Sequence, residues 1–257
     1  MSSPRFFYPS SLATGQLIKL PREIANHAGR SLRLRDGDMI TLFTGQGGEF
    51  EAELYFDDGI AMAKIGAFSD ANRLPQGKIS IAQALPSGDK MDWIIEKNSE
   101  LGLCAIQPIK AERSILQLSG TRLEKRLQRW QAIANSSAEQ CGRNIPLEVK
   151  NLSTIKQFLE QQQHDLILVC HHENGAKLTD YLKDYINETA QSALPDICLV
   201  IGPEGGWSDN ELNLFEEYAT TQQKTQLQKV IWGERVFRTE TAAIALAAAC
   251  LTLFDWN

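Results

Sequence analysis

The sequence predicts an α/β protein in two parts. Residues 1–71 read as a small β-barrel, and residues 72–257 as a larger domain with a mostly parallel sheet covered by helices on both faces. Three observations predict this. Short strand patterns separated by turn residues fill positions 6–68. A polar stretch, 69–77, carries proline and glycine but no apolar period. Beyond it, near-continuous apolar runs alternate with helix patterns.

In the first part, a strand at 16–20 precedes a short helix at 21–28, with Pro21 at the first helical position, where its missing N–H costs nothing. Strands follow at 31–34, 39–43, 49–56 and 60–68, divided by Asp36-Gly37-Asp38, Gly45-Gln46-Gly47-Gly48 and a turn at 57–59. Phe50, Ala52, Leu54 and Phe56 alternate with Glu51, Glu53 and Tyr55, as in a half-buried strand. Small barrels of this kind often bind RNA, yet fold alone does not decide function.

In the second part, strands are expected at 79–85, 105–109, 166–170, 197–201 and 230–232. Helices are expected at 89–101, 121–139, 153–162, 177–186, 208–219 and 239–254. In the helix at 121–139, Leu123, Leu127, Trp130 and Ile133 make one apolar face, and Arg122, Lys125, Arg126 and Arg129 lie on the other. The last helix is small and apolar almost all round. It is buried either within its domain or against a second subunit.

Composition bounds the function classes. The chain of 257 residues is 43% hydrophobic and 23% charged, as in a soluble globular protein. No secretory signal and no run of the ~20 apolar residues needed to span a membrane is present. Five scattered cysteines without a C-x-x-C pair predict reduced thiols and a cytoplasmic location. His171 and His172, adjacent but without a third ligand, predict a surface pair at a strand end and no metal site. The net charge of −6 disfavours indiscriminate nucleic-acid binding, but it is unevenly spread. Residues 110–150 hold eight Lys/Arg against four Glu, whereas 196–257 hold four against nine Asp/Glu. Such faces could steer a polyanion to one side, or simply be solvated helix faces.

Two stretches stand apart. Leu199-Val200-Ile201-Gly202-Pro203-Glu204-Gly205-Gly206-Trp207-Ser208 and Val230-Ile231-Trp232-Gly233-Glu234-Arg235-Val236-Phe237-Arg238-Thr239-Glu240-Thr241-Ala242 each run from strand through glycines into helix. Ligands of open α/β sheets bind beyond the carboxyl ends of strands, and glycine lets main chain approach them. The first stretch has neither the Lys-Ser/Thr of a phosphate loop nor the G-x-G-x-x-G of a dinucleotide site, which disfavours a dinucleotide oxidoreductase. Glu234, Arg235, Arg238 and Glu240 form either surface ion pairs or a ligand site.

These stretches resemble the motifs of the knotted SPOUT methyltransferases, and more narrowly the enzymes that methylate N3 of a uridine in bacterial small-subunit (16S) ribosomal RNA. The likeness extends to Met91-Asp92-Trp93-Ile94-Ile95-Glu96-Lys97, Glu100-Leu101-Gly102, Arg113-Ser114, Arg129-Trp130, Glu139-Gln140-Cys141-Gly142-Arg143, Arg5-Phe6-Phe7 and Leu32-Arg33-Leu34. Trp232, Val236-Phe237 and Gly29-Arg30-Ser31 depart from it. The resemblance implies a PUA-like N-terminal barrel, a C-terminal α/β domain tied in a trefoil knot, S-adenosylmethionine as methyl donor, and a homodimer through the knotted domain. It implies 16S ribosomal RNA as partner, either free or assembled into the small subunit. The donor site would comprise Ile201, Gly202, Pro203, Glu204, Gly205, Gly206, Trp232, Gly233, Val236 and Phe237. Arg238 would stabilise the charge developing on the uridine carbonyls, and Glu240 would orient the base, accept its proton, or cap the last helix. Arg5, Arg33, Arg113 and Arg143 are the expected RNA contacts. The competing reading is a non-catalytic ribosome-assembly factor on the same fold.

Overall fold

The computed structural model describes residues 3–57, 60–189, 194–221 and 224–256, so the turn expected at 57–59 lies largely outside the described residues. The chain forms two compact units, residues 1–74 with 135–146, and residues 75–134 with 147–257.

The first unit is a five-stranded mixed sheet in the order β1-β3-β4-β5-β2. Its strands are β1 (Arg5–Phe7), β2 (Leu17–Lys19), β3 (Met39–Phe43), β4 (Glu49–Asp57) and β5 (Ile60–Ser69), with helix α1 (Arg22–Asn26) after β2. β1 runs parallel to β3, and the remaining pairs are antiparallel. The alternation in β4 holds: Ala52 and Leu54 enter the core with Phe6, Ile40, Leu42 and Ile65, while Glu51 is exposed. The strand expected at 31–34 does not form. A π turn spans His27–Ser31, the Leu34 amide donates to the Ala28 carbonyl at 2.9 Å, and Arg33 sits at φ 57°. Local turn bonds take the amides that a ladder would have used. Arg73 and Arg5 both reach Glu49, at 2.8 and 2.5 Å. The Arg73 bond, working against burial and reinforced by Arg5, holds that carboxyl at about 2.

The second unit is a seven-stranded, wholly parallel sheet in the order β10-β12-β9-β11-β6-β7-β8. The strands are β6 (Lys78–Ala84), β7 (Ala105–Ile109), β8 (Glu148–Val149), β9 (Leu166–Cys170), β10 (Ala176–Lys177), β11 (Asp196–Ile201) and β12 (Gln226–Ile231). The helices are α2 (Lys90–Glu100), α3 (Gly120–Cys141), of which residues 120–134 belong to this unit and 135–141 to the first, α4 (Ile155–Gln161), α5 (Leu178–Thr189), α6 (Asp209–Thr221) and α7 (Thr239–Leu253). The central strands bury both faces. Leu166, Leu168, Leu199 and Ile201 meet α2, α5 and α7, whereas Ile167, Val169, Cys198 and Val200 meet α4 and α6. This double burial is why these strands read as continuous apolar runs. After β12 the chain doubles back, so that α7 lies against α2, β11 and β6. The short edge strands β8 and β10, and the first part of β12, escape the apolar signal because they are polar and partly exposed.

Candidate functional site

The cleft of interest opens where β9, β11 and β12 end, and encloses about 750 Å³. That lies within the size range of small-molecule sites, roughly 300–1,000 Å³. All ten residues expected to hold the donor line it, together with Arg238. Its walls are the two glycine-rich turns, brought together although they are distant in sequence.

Each turn is fixed by its own chemistry. Ile201 and Val200 hold the first turn at the sheet, where β11 pairs with β6 and β9. Gly206 then takes φ 67°, which favours glycine. A Cβ on Gly202 would stand 3.3 Å from the buried Trp207 indole, so the turn backbone packs as closely as a bare Cα allows. Beyond it, Ser208 and Glu211 form a reciprocal cap on α6. The Glu211 amide donates to Ser208 Oγ at 3.1 Å, and the Ser208 amide donates to Glu211 Oε2 at 2.9 Å.

The two turns are tied by Thr239, buried at the start of α7. Its hydroxyl donates to the Gly202 carbonyl at 2.8 Å and accepts from Gln83 Nε2 at 2.9 Å. Gln83 sits fully buried near the end of β6. The sheet's centre, the first turn and the second are thus joined by two hydrogen bonds. A neutral Thr between the charged Arg238 and Glu240 carries no sequence signal of this role.

A charge network closes one side. Glu204 accepts from Ser87 Oγ at 2.6 Å, from the Ser87 amide at 3.1 Å and from Lys90 Nζ at 2.6 Å. Burial pushes the Glu204 carboxyl up, but these bonds outweigh it and hold it at about 2. The hydrogen bond to Glu204 raises Lys90 in return. Lys90 Nζ also lies 3.7 Å from Glu240 Oε2, a buried oxygen without a hydrogen-bond partner among the described residues. Sequence reasoning missed Ser87 and Lys90. The available signal was a cation in the first turn of α2, where the helix dipole disfavours it unless carboxylates hold it.

Arg238 precedes α7, is exposed at the cleft and makes no capping bond, and no ion pair engages it among the described residues. Trp232 and Phe237 pack with ring centroids 6.3 Å apart. Val236 is 73% exposed. His171 and His172 stack at 4.8 Å on the rim, where the His171 amide bonds to the Val230 carbonyl. Among the described residues no group of three His, Cys, Asp or Glu could hold a metal, and no helix is long and apolar enough to cross a membrane.

The four arginines expected to meet RNA fall into two kinds. Arg33 and Arg113 are exposed, and Arg113 lines the cleft with its guanidinium 3.3 Å from the Gly205 carbonyl. Arg5 is held by Glu49, Asn144 and the Phe43 ring, and Arg143 is 3% exposed with its guanidinium donating to the Ile145 carbonyl.

Comparison with known proteins adds three findings. Residues 72–251 match the RNA methyltransferase domain family, and 20–54 match the RNA methyltransferase PUA domain. The chain is 31% identical over 235 residues to the ribosomal RNA small subunit methyltransferase E of Bacillus subtilis, covering 88% of this chain and 86% of that one. It is 37% identical over 224 residues to the Synechocystis protein of the same name, covering 85% and 67%. A crystal structure of a ribosomal RNA small subunit methyltransferase E from Neisseria gonorrhoeae bound to S-adenosyl methionine superposes with a TM-score of 0.84 at 34% identity, covering 98% of each chain.

Proposed function

The chain belongs to the RNA methyltransferase family that includes ribosomal RNA small subunit methyltransferase E, and from that premise we propose that it methylates N3 of a uridine in 16S ribosomal RNA. It is an S-adenosylmethionine-dependent enzyme with a SPOUT-type α/β unit and a PUA-like N-terminal unit. The observation that carries the reading is the juxtaposition of two glycine turns around one cleft, tied through Thr239.

The residues present fit the donor. Bare Cα positions let main chain approach adenosine and methionine, the cleft has the volume, and aromatic and apolar groups from Trp232 to Phe237 supply an apolar wall. When bound, S-adenosylmethionine supplies an activated methyl group on sulfonium. The protein's part is then alignment and charge. Uridine N3 is a protonated imide whose proton must leave for attack to occur. Arg238, uncommitted at the cleft, stabilises the charge that appears on the flanking carbonyl oxygens. Glu240, ion-paired to Lys90 through an oxygen that accepts no hydrogen bond among the described residues, orients the base or accepts the proton. Arg33 and Arg113 contribute phosphate contacts.

A second copy covers the outer side of α7. Ala243, Leu246, Ala247, Cys250 and Leu251 are buried within the unit, while Ile244, Ala245 and Ala248 remain half-buried on the other side, small enough for close helix approach. Five free cysteines suit a reducing cytoplasm.

The test is primer extension on 16S ribosomal RNA from cells with and without the protein. An N3-methyl group blocks base pairing, so one polymerase stop should vanish in its absence. An unchanged pattern would reject the assignment.

A further inference from the structure

We propose that the outward stripe of α3, formed by Arg122, Lys125, Arg126 and Arg129, binds the phosphate backbone of the RNA and guides it to the lip of the donor cleft. The proposal rests on the RNA-methyltransferase reading and adds a surface to it.

The stripe follows from helical geometry. Spacings of three, four and seven residues at 3.6 residues per turn place the four cations within an arc of about 100°, over roughly 10 Å of helix. Glu124, the one acid in this run, falls on the opposite side. Thr121 and the N-terminal end of α3, where helix amides and dipole favour anions, lie at the same end as Arg122.

The surface is concave as well as charged. Arg122, Lys125, Arg126, Arg129, Thr121 and Asp89 enclose a depression of about 540 Å³. Two of the cations are oriented by acids. Arg126 meets Asp89 at 3.0 Å, and Arg129 reaches Asp92 Oδ2 through two nitrogens, at 2.5 and 3.0 Å. Asp92 is itself held by the Trp130 indole N–H at 3.0 Å. Arg122 and Lys125 are exposed, and neither makes an ion pair among the described residues. Four cations against two acids leave a positive surface on a protein whose net charge is −6.

Position supplies the link to catalysis. Asp89, which forms a wall of the depression, is followed by Lys90, which lines the donor cleft and binds Glu204. Two consecutive residues therefore join the two surfaces. A nucleic-acid strand fits this path, because its charges repeat along a line as the cations do, and phosphate contacts position without reading sequence.

The test compares the full chain with the double variant Arg122→Gln/Lys125→Gln, measuring affinity for transcribed 16S ribosomal RNA across a salt series, steady-state methylation, and calorimetric binding of S-adenosylhomocysteine. Removing two phosphate contacts should lower the slope of log K against log[salt] by about 1.4 for single-stranded RNA, or about 1.8 where the contacted segment is duplex-like. KM for RNA should rise with kcat little changed, and S-adenosylhomocysteine affinity should stay the same. An unchanged RNA affinity and salt slope overturns the proposal. So does intact RNA binding with an altered sedimentation coefficient, which would make the stripe a protein contact. Failure of the unaltered chain to bind S-adenosylhomocysteine would strike the methyltransferase reading instead, and the RNA titration would still decide the stripe.

Discussion

At the scale of single residues, the site separates into groups that hold the cleft and a group free to act. Thr239 is of the first kind. Thr239→Val preserves shape but removes the donor to the Gly202 carbonyl and an acceptor of Gln83. Leaving buried polar groups unpaired costs about 1–3 kcal/mol, so urea denaturation should show a loss of that order, and S-adenosylhomocysteine should bind more weakly. Arg238 is of the second kind, exposed at the cleft and not tied by a capping bond. Arg238→Ala should lower kcat by roughly 10²–10³-fold, the usual cost of losing a charge-stabilising donor, while calorimetry shows S-adenosylhomocysteine binding largely intact. Full activity in that variant would remove Arg238 from the mechanism.

At the scale of elements, α6 shows how a local cap serves a distant site. Ser208 and Glu211 satisfy each other's amides, and Glu211 Oε1 also accepts from the Glu112 amide at 3.0 Å. One carboxylate thus fixes the start of α6 and the segment before Arg113, directly after the glycine turn. Ser208→Ala should destabilise the protein by about 1 kcal/mol in chemical denaturation, as for other N-cap losses. A variant as stable as the parent would show that tertiary packing, not the cap, sets the start of this helix. The apolar face of α3 was legible, with Trp130 buried and Leu123, Leu127 and Ile133 packed against the same core. The strand expected at 31–34 was not, because its apolar residues cannot report that Arg33 adopts φ 57°.

At the scale of the whole molecule, acid should act in two steps. His164 lies in the loop before β9 with Nε2 at 2.8 Å from Ser80 Oγ, and burial, helped by Lys150, lowers it from 6.5 to about 4. The folded state then binds fewer protons than the unfolded one between those values. Stability from this neutral imidazole is complete above about pH 6.5 and falls as pH drops towards 4. Glu49 and Glu204, both held at about 2 against an ordinary 4.5, add a loss between pH 4.5 and 2. Urea midpoints measured from pH 7 to 3 should fall through the first window in the parent and stay flatter there in His164→Gln. Equal slopes in the two proteins would reject the assignment.

The amino-acid order by itself determined the alternation of apolar strands and amphipathic helices, the two glycine-rich strand ends and the basic side of α3. These depend on neighbours one to seven residues apart, and local spacing encodes them directly. Only the tertiary structure decided that Ser87 and Lys90 join Glu204 and Glu240, that Thr239 ties Gly202 to Gln83, and that Arg5 and Arg143 are engaged inside the protein. The contacts of Thr239, Lys90 and Glu204 join residues up to 156 positions apart, and they exist because β11 lies between β9 and β6 and α7 folds back against it. A long-range contact of this kind leaves no periodic trace in the chain, since its partners are chosen by the path of the fold rather than by the residues beside them.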